Sequence, residues 1–141
     1  MAGARLGFAV GCEALIQDLN TLKYSTNPYN VNRMTSAAGV AAIAENDYYR
    51  ENAAKIMENR TWTREQLEGL GFEVTDSRSN FLFARTGRIS GNELYLRLKE
   101  RGVLVRHFHK ERIEDYVRIT IGSREQMERL IAEIRAIFAA D

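Results

Sequence analysis

Apolar residues recur along this chain with two different periods. Leu15, Ile16, Leu19 and Leu22 return at helical spacing, which predicts a short helix over 13–23. From Thr35 to Leu67 there is no proline, one glycine and many good helix formers, so one long helix is expected there. Gly39 and the stretch from Asn59 to Thr63 are the places for it to bend. Gly69-Leu70-Gly71 supplies its stop, because glycine tolerates the left-handed backbone that ends helices. The period then shortens. Strands are expected at Phe72 to Thr75, Asn80 to Arg85, Val103 to Phe108 and Val117 to Ile121, with a helix from Gly91 to Arg101 and another at the end. Ser90 with Glu93, and Ser123 with Gln126, match the capping box that starts a helix. Met127, Leu130, Ile131, Ile134 and Ile137 form one apolar stripe, so the last helix must lie on a sheet. This mixture predicts an α+β fold: a small, mostly antiparallel sheet with helices on one face, preceded by a long helix.

Strand alternation sharpens the picture, since side chains two apart share a face. Val117, Ile119 and Ile121 must meet the helices, which turns Arg118 and Thr120 outward. By the same parity Val103 and Val105 point inward and Arg106 points with Arg118. If the two strands are neighbours, both guanidinium groups can converge on one anion, and arginine's planar fork suits carboxylate or phosphate. Alternation alone leaves the plainer reading open, in which both arginines are simply solvated. His107 and His109 read as surface or satisfied structural histidines, and Asn80 as either a turn cap or a ligand contact.

Composition narrows the function classes. Lys+Arg 20 against Asp+Glu 19 is a balanced, scattered charge, which argues against a nucleic-acid or membrane partner held by bulk electrostatics. No apolar run approaches the roughly 20 residues of a membrane span, and a cytoplasmic protein is expected. The single cysteine, Cys12, cannot form an internal disulfide and is expected to be a buried bystander. No Cys and His stand at metal-ligand spacing, so no metal site is expected. Met1 to Gly11 reads as a short extended run that begins abruptly, as if cut from something longer.

Taken together and in order, several short pieces resemble a known family. Ala2-Gly3-Ala4-Arg5-Leu6-Gly7, Asn30-Val31-Asn32, Ser79-Asn80-Phe81, Gly102-Val103-Leu104-Val105-Arg106 and Val117-Arg118-Ile119-Thr120-Ile121-Gly122 follow the order and approximate spacing of the C-terminal portion of fold-type-I aminotransferases. The histidinol-phosphate aminotransferase group is the best fit. The resemblance spans essentially the whole chain, and the ordered set is far more specific than any one piece.

The resemblance implies that Arg5 holds the phosphate of pyridoxal 5'-phosphate. It implies that Arg118 binds the anionic group of the substrate, that Arg106 is a second substrate-side arginine, and that Asn80 lines the same cleft. It further implies that residues 1–35 are a remnant of a large cofactor-binding domain and 36–141 the connecting helix and small domain, in a homodimeric enzyme acting on a small amine. In the family a lysine just before the Ala-Gly-x-Arg motif anchors the cofactor. Lys23, Lys55, Lys99 and Lys110 do not match it, so no catalytic residue is assigned here and this chain alone is expected to be inactive and not to bind the cofactor. The alternative from a different class is a stand-alone α+β module that binds a small anion through Arg106 and Arg118.

Overall fold

The computed structural model describes residues 1–140. They fall into two compact units, Met1–Arg50 and the residues from Glu51 onward.

In the first unit, a 3-10 turn at Ala2–Ala4 leads into Arg5, whose φ of 57° is left-handed. Irregular backbone follows to Cys12. No strand forms over Leu6 to Val10, contrary to the extended run expected, since a strand needs a ladder partner and the small Ala-Gly-Ala residues permit a tight turn instead. Helix α1 (Glu13–Thr26) has no buried residue, and Cys12, its N-cap, is exposed rather than buried. Asn32 caps helix α2 (Arg33–Ala44) by accepting the Thr35 N–H at 2.8 Å. Helix α3 (Asn46–Gly69) follows, and from Glu51 onward it belongs to the second unit. The single long helix expected over 35–67 is therefore two. The break falls at Glu45 (ψ 40°), whose N–H closes α2 on the Ala41 carbonyl, and Asn46-Asp47 behind it are residues that favour helix starts. Helix α2 runs unbroken through Gly39, which is buried and so close to the Leu6 side chain that a Cβ would run into it. Helix α3 is continuous across Asn59 and Thr63, both of which are buried.

The second unit is an antiparallel sheet under two helices. Gly71, with φ 84°, turns the chain out of α3 into β1 (Phe72–Val74). Strand β2 (Phe81–Thr86), helix α4 (Gly91–Glu100), strand β3 (Arg106–His107), strand β4 (Val117–Thr120) and helix α5 (Arg124–Ala139) complete it. The strand order is β1-β2-β4-β3, with every neighbour antiparallel. Leu82 and Ala84 of β2, Val117 and Ile119 of β4, and Leu94 and Leu98 of α4 are buried with all five stripe residues of α5 and with Leu67 of α3. Each large aliphatic side chain so buried contributes about 1.5–3 kcal/mol, which fixes the strand register because a one-residue slip would expose the whole set.

Two local details differ from expectation. Strand β3 is two residues long because Gly102 (φ 76°) ends α4 with a Schellman motif: Val103 N–H bonds to the Leu98 carbonyl at 2.9 Å and Gly102 N–H to that of Lys99 at 3.0 Å. Val103 to Val105 are thereby drawn off the ladder, although Val103 and Val105 do pack against the core. Of the two capping boxes only that at Ser123 and Gln126 is reciprocal. Ser90 accepts the Glu93 N–H at 3.2 Å, but the Glu93 carboxylate is engaged by Arg97 one turn on.

Candidate anion-binding site

The helices cover one face of the sheet, and the candidate site is on the other. Phe81 and Phe83 lie opposite Thr120 and Arg118 in the β2–β4 register, and Arg118 lies directly opposite Arg106 in the β4–β3 register. Arg106 and Arg118 are both exposed, whereas the intervening parity, His107, Val117 and Ile119, is buried. Strand alternation thus brings together the two arginines that the sequence singled out. Among the described residues neither forms an ion pair, so both keep their charge available for a ligand.

Beneath them is an aromatic floor that the sequence reading did not identify. The Arg106 guanidinium lies 5.4 Å from the centre of the Phe108 ring, and that of Arg118 lies 5.8 Å from the same ring and 5.5 Å from that of Phe81. Phe108 meets Phe83 edge-on at 6.4 Å, and Phe83 stacks on Tyr116 at 4.6 Å with an interplanar angle of 11°. The signal was in the sequence: Phe81 and Phe83 share the parity opposite Leu82 and Ala84, two large rings on the face otherwise left to polar residues.

A third arginine on this face, Arg85, is already committed. Its Nη2 is 2.6 Å from Glu73 Oε2, and that hydrogen bond, then the charge of the carboxylate, raises the guanidinium's affinity for its proton above the ordinary value. Arg85 also lies over the Tyr116 ring at 5.2 Å, while the Tyr116 hydroxyl donates to Glu73 at 3.4 Å. The pair neutralises itself and holds Tyr116 in its stack.

Asn80 sits at the end of β2 and is not gathered among the guanidiniums by strand parity. Its backbone carbonyl accepts the Ile121 N–H at 2.9 Å and its Oδ1 accepts from the Ser79 hydroxyl at 3.3 Å. It flanks Phe81, whose ring lies beside Arg118. His107 is buried, with Nε2 2.6 Å from the Glu114 carbonyl; a carbonyl only accepts, so Nε2 carries the proton. That bond ties β3 to the segment entering β4 and has a structural role. His109 touches the His107 ring edge-on at 4.9 Å. Among the described residues no group of three or more His, Cys, Asp or Glu could hold a metal ion, and no helix is long and apolar enough to cross a membrane.

Arg5, in the first unit, is exposed, and among the described residues its side chain has no hydrogen-bond or ion-pair partner. Gly3 and Gly7 on either side leave open space where a side chain would stand. An unpaired guanidinium with uncrowded backbone around it fits a phosphate group.

Known proteins place the chain in context. The family model described as aminotransferase class I and II matches residues 1–134. Histidinol-phosphate aminotransferase from Brachyspira hyodysenteriae is 44% identical over 137 residues, 97% of this chain and 39% of the relative. That of Syntrophus aciditrophicus is 44% identical over 138 residues, 98% of this chain and 38% of the relative. The chain thus spans about two fifths of the length of these relatives. Among solved structures, histidinol-phosphate aminotransferase from Sinorhizobium meliloti in complex with pyridoxal-5'-phosphate shares the fold with a TM-score of 0.79 at 24% identity, over 97% of this chain and 38% of that one. The enzyme of the same name from Clostridium acetobutylicum gives 0.74 at 24% identity, over 82% and 36%.

Proposed function

The chain belongs to the aminotransferase class I and II family, and from that membership we propose that it is the C-terminal part of an enzyme moving an amino group between L-histidinol phosphate, or an aromatic amino acid, and 2-oxoglutarate. The observation that carries the substrate assignment is the directly paired, ion-pair-free Arg106 and Arg118 on the open face of the sheet. Two adjacent guanidiniums present forks of donors that suit a phosphate or carboxylate, and they stay charged at any physiological pH. In this reading Arg118 binds the anionic group, Arg106 seconds it, and Asn80 lines the cleft at its edge.

Residues 1–35 then belong to the large domain and 36–141 to the connecting helix and small domain. Arg5 would hold the phosphate of pyridoxal 5'-phosphate. When bound, that cofactor supplies the electron sink for amino transfer. Lys23, Lys55, Lys99 and Lys110 do not match the lysine that anchors it, so we propose that these 141 residues alone neither fix the cofactor nor catalyse. The parent enzyme is proposed to be a cytoplasmic homodimer of histidine biosynthesis, a setting that fits the names of the relatives.

The test is steady-state transfer from L-histidinol phosphate to 2-oxoglutarate by the enzyme of which this chain forms part. Charge-assisted hydrogen bonds are worth about 1.5–3 kcal/mol, so Arg118→Gln should lower kcat/KM for the amine roughly 10- to 100-fold. An unchanged kcat/KM would overturn the assignment. A second reading, a stand-alone anion sensor, is favoured by one fact: both guanidiniums lie within the single compact unit that begins at Glu51. Micromolar binding of phosphate by this chain alone would select it.

A further inference from the structure

Arg106 and Arg118 face each other across a ladder, an arrangement in which like charges repel. Among the described residues no carboxylate lies within ion-pair distance of either one to offset that repulsion. What they do share is a ring: both guanidiniums lie within 6 Å of the centre of Phe108, at 5.4 and 5.8 Å. An aromatic face carries negative quadrupole density and attracts a cation without neutralising it. A carboxylate in the same place would hold the arginines equally well, but it would compete with the ligand.

We propose that Phe108 is a positioning residue, the common seat that keeps the two guanidiniums side by side and still free for an anion. This rests on the anion-site reading above. The ring is suited to the task because it is itself fixed. It is half-buried, its edge contact with Phe83 sets its tilt, and Phe83 is stacked on a Tyr116 that Glu73 and Arg85 hold in place. Phe81 differs from Phe108 in one decisive respect: its ring lies by Arg118 and not by Arg106. Phe108 therefore acts on both arginines and Phe81 on one.

Leucine keeps most of the bulk of phenylalanine and removes the π face, which separates packing from seating. The experiment uses the full 141-residue chain and its Phe108→Leu, Phe108→Tyr and Phe81→Leu variants. The first readout is the ring-current displacement of the side-chain N–H signals of Arg106 and Arg118 by NMR. Phe108→Leu should abolish the displacement at Arg106 and reduce it at Arg118, where the Phe81 ring remains; Phe108→Tyr should restore both, and Phe81→Leu should move Arg118 alone. The second readout is affinity for inorganic phosphate, which Phe108→Leu should weaken about threefold to tenfold and Phe108→Tyr should restore. If Phe108→Leu leaves both arginine signals in place, or binds phosphate as tightly as the unaltered chain, Phe108 is not the seat. If the signals respond as stated but phosphate binds to none of the proteins, the seat stands and the anion-site reading falls.

Discussion

Replacing Gly91 by alanine should damage the second unit out of proportion to the single methyl added. Gly91 is buried at the first turn of α4, and a Cβ there would stand 2.6 Å from the Glu114 carbonyl oxygen and 2.7 and 2.8 Å from the Asp115 carbonyl carbon and oxygen. All three are backbone atoms, so no side chain can swing aside. The 114–115 segment must move, and with it goes the Glu114 carbonyl that accepts from His107 Nε2 at 2.6 Å. Overpacking of this kind costs about 1–3 kcal/mol, and an unpaired buried polar group about 1–3 more. Alanine's better helix propensity returns at most about 1 kcal/mol. A net loss of about 2–4 kcal/mol is expected. Urea unfolding followed by the fluorescence of Trp62, the single tryptophan, reports on this unit because Trp62 packs against its core. With a slope of about 1–3 kcal/mol per molar, the midpoint should fall by roughly 1–2 M. Gly69→Ala, where nothing lies within 4 Å and the backbone is helical, should stay within about 0.5 kcal/mol of the unaltered chain. A Gly91→Ala midpoint indistinguishable from that control would refute the reasoning.

Ser123→Ala removes the N-cap of α5 and should cost about 1 kcal/mol by the same assay. The Ser123 hydroxyl, more than any other group, holds the Glu125 carboxyl below its usual range. A depressed carboxylate stabilises the fold above its unfolded value and ceases to do so as pH falls through its folded value. Ser123→Ala should therefore move the Glu125 titration, followed by carboxyl-carbon NMR, up toward ordinary glutamate and shrink that acid-side dependence. Treatment of the chain with pyridoxal phosphate and borohydride should leave its mass unchanged, whereas a stable adduct at one lysine would contradict the proposed placement of the anchoring lysine elsewhere. Sedimentation should show a dimer formed through residues 6–10 and the helices behind them, where Phe8, Val10, Met34, Val40 and Ile43 are exposed. A monomer with an ordered N-terminal segment would contradict it.

The second unit was legible in the sequence because its signals are redundant. The α5 stripe, the β4 alternation and the Ser123 capping box each demand the same arrangement, and burying one set on one side of the sheet forces Arg106 and Arg118 to the other. Where the reading failed, the deciding contact was not periodic. Nothing in the pattern of 35–67 marks Glu45 as a break; it depends on which of several weak helix starts wins, and Asn46-Asp47 did. Strand β3 was overestimated because the Schellman closure after Gly102 takes Val103 off the ladder, a hydrogen-bond choice that the apolar run Val103-Leu104-Val105 conceals. The aromatic floor was missed because the alternation argument was applied to β3 and β4 and not to β2, whose register sets Phe81 and Phe83 opposite Thr120 and Arg118.

The most direct measurement is a phosphate titration of the 141-residue chain at low salt, following the arginine side-chain N–H signals. Arg106 and Arg118 should shift together along one binding curve weaker than micromolar, while Arg85, bound to Glu73, stays still, and Arg118→Gln should abolish the response. Shifts confined to other arginines, or a response that survives Arg118→Gln, would show that the open face of this sheet is not an anion site.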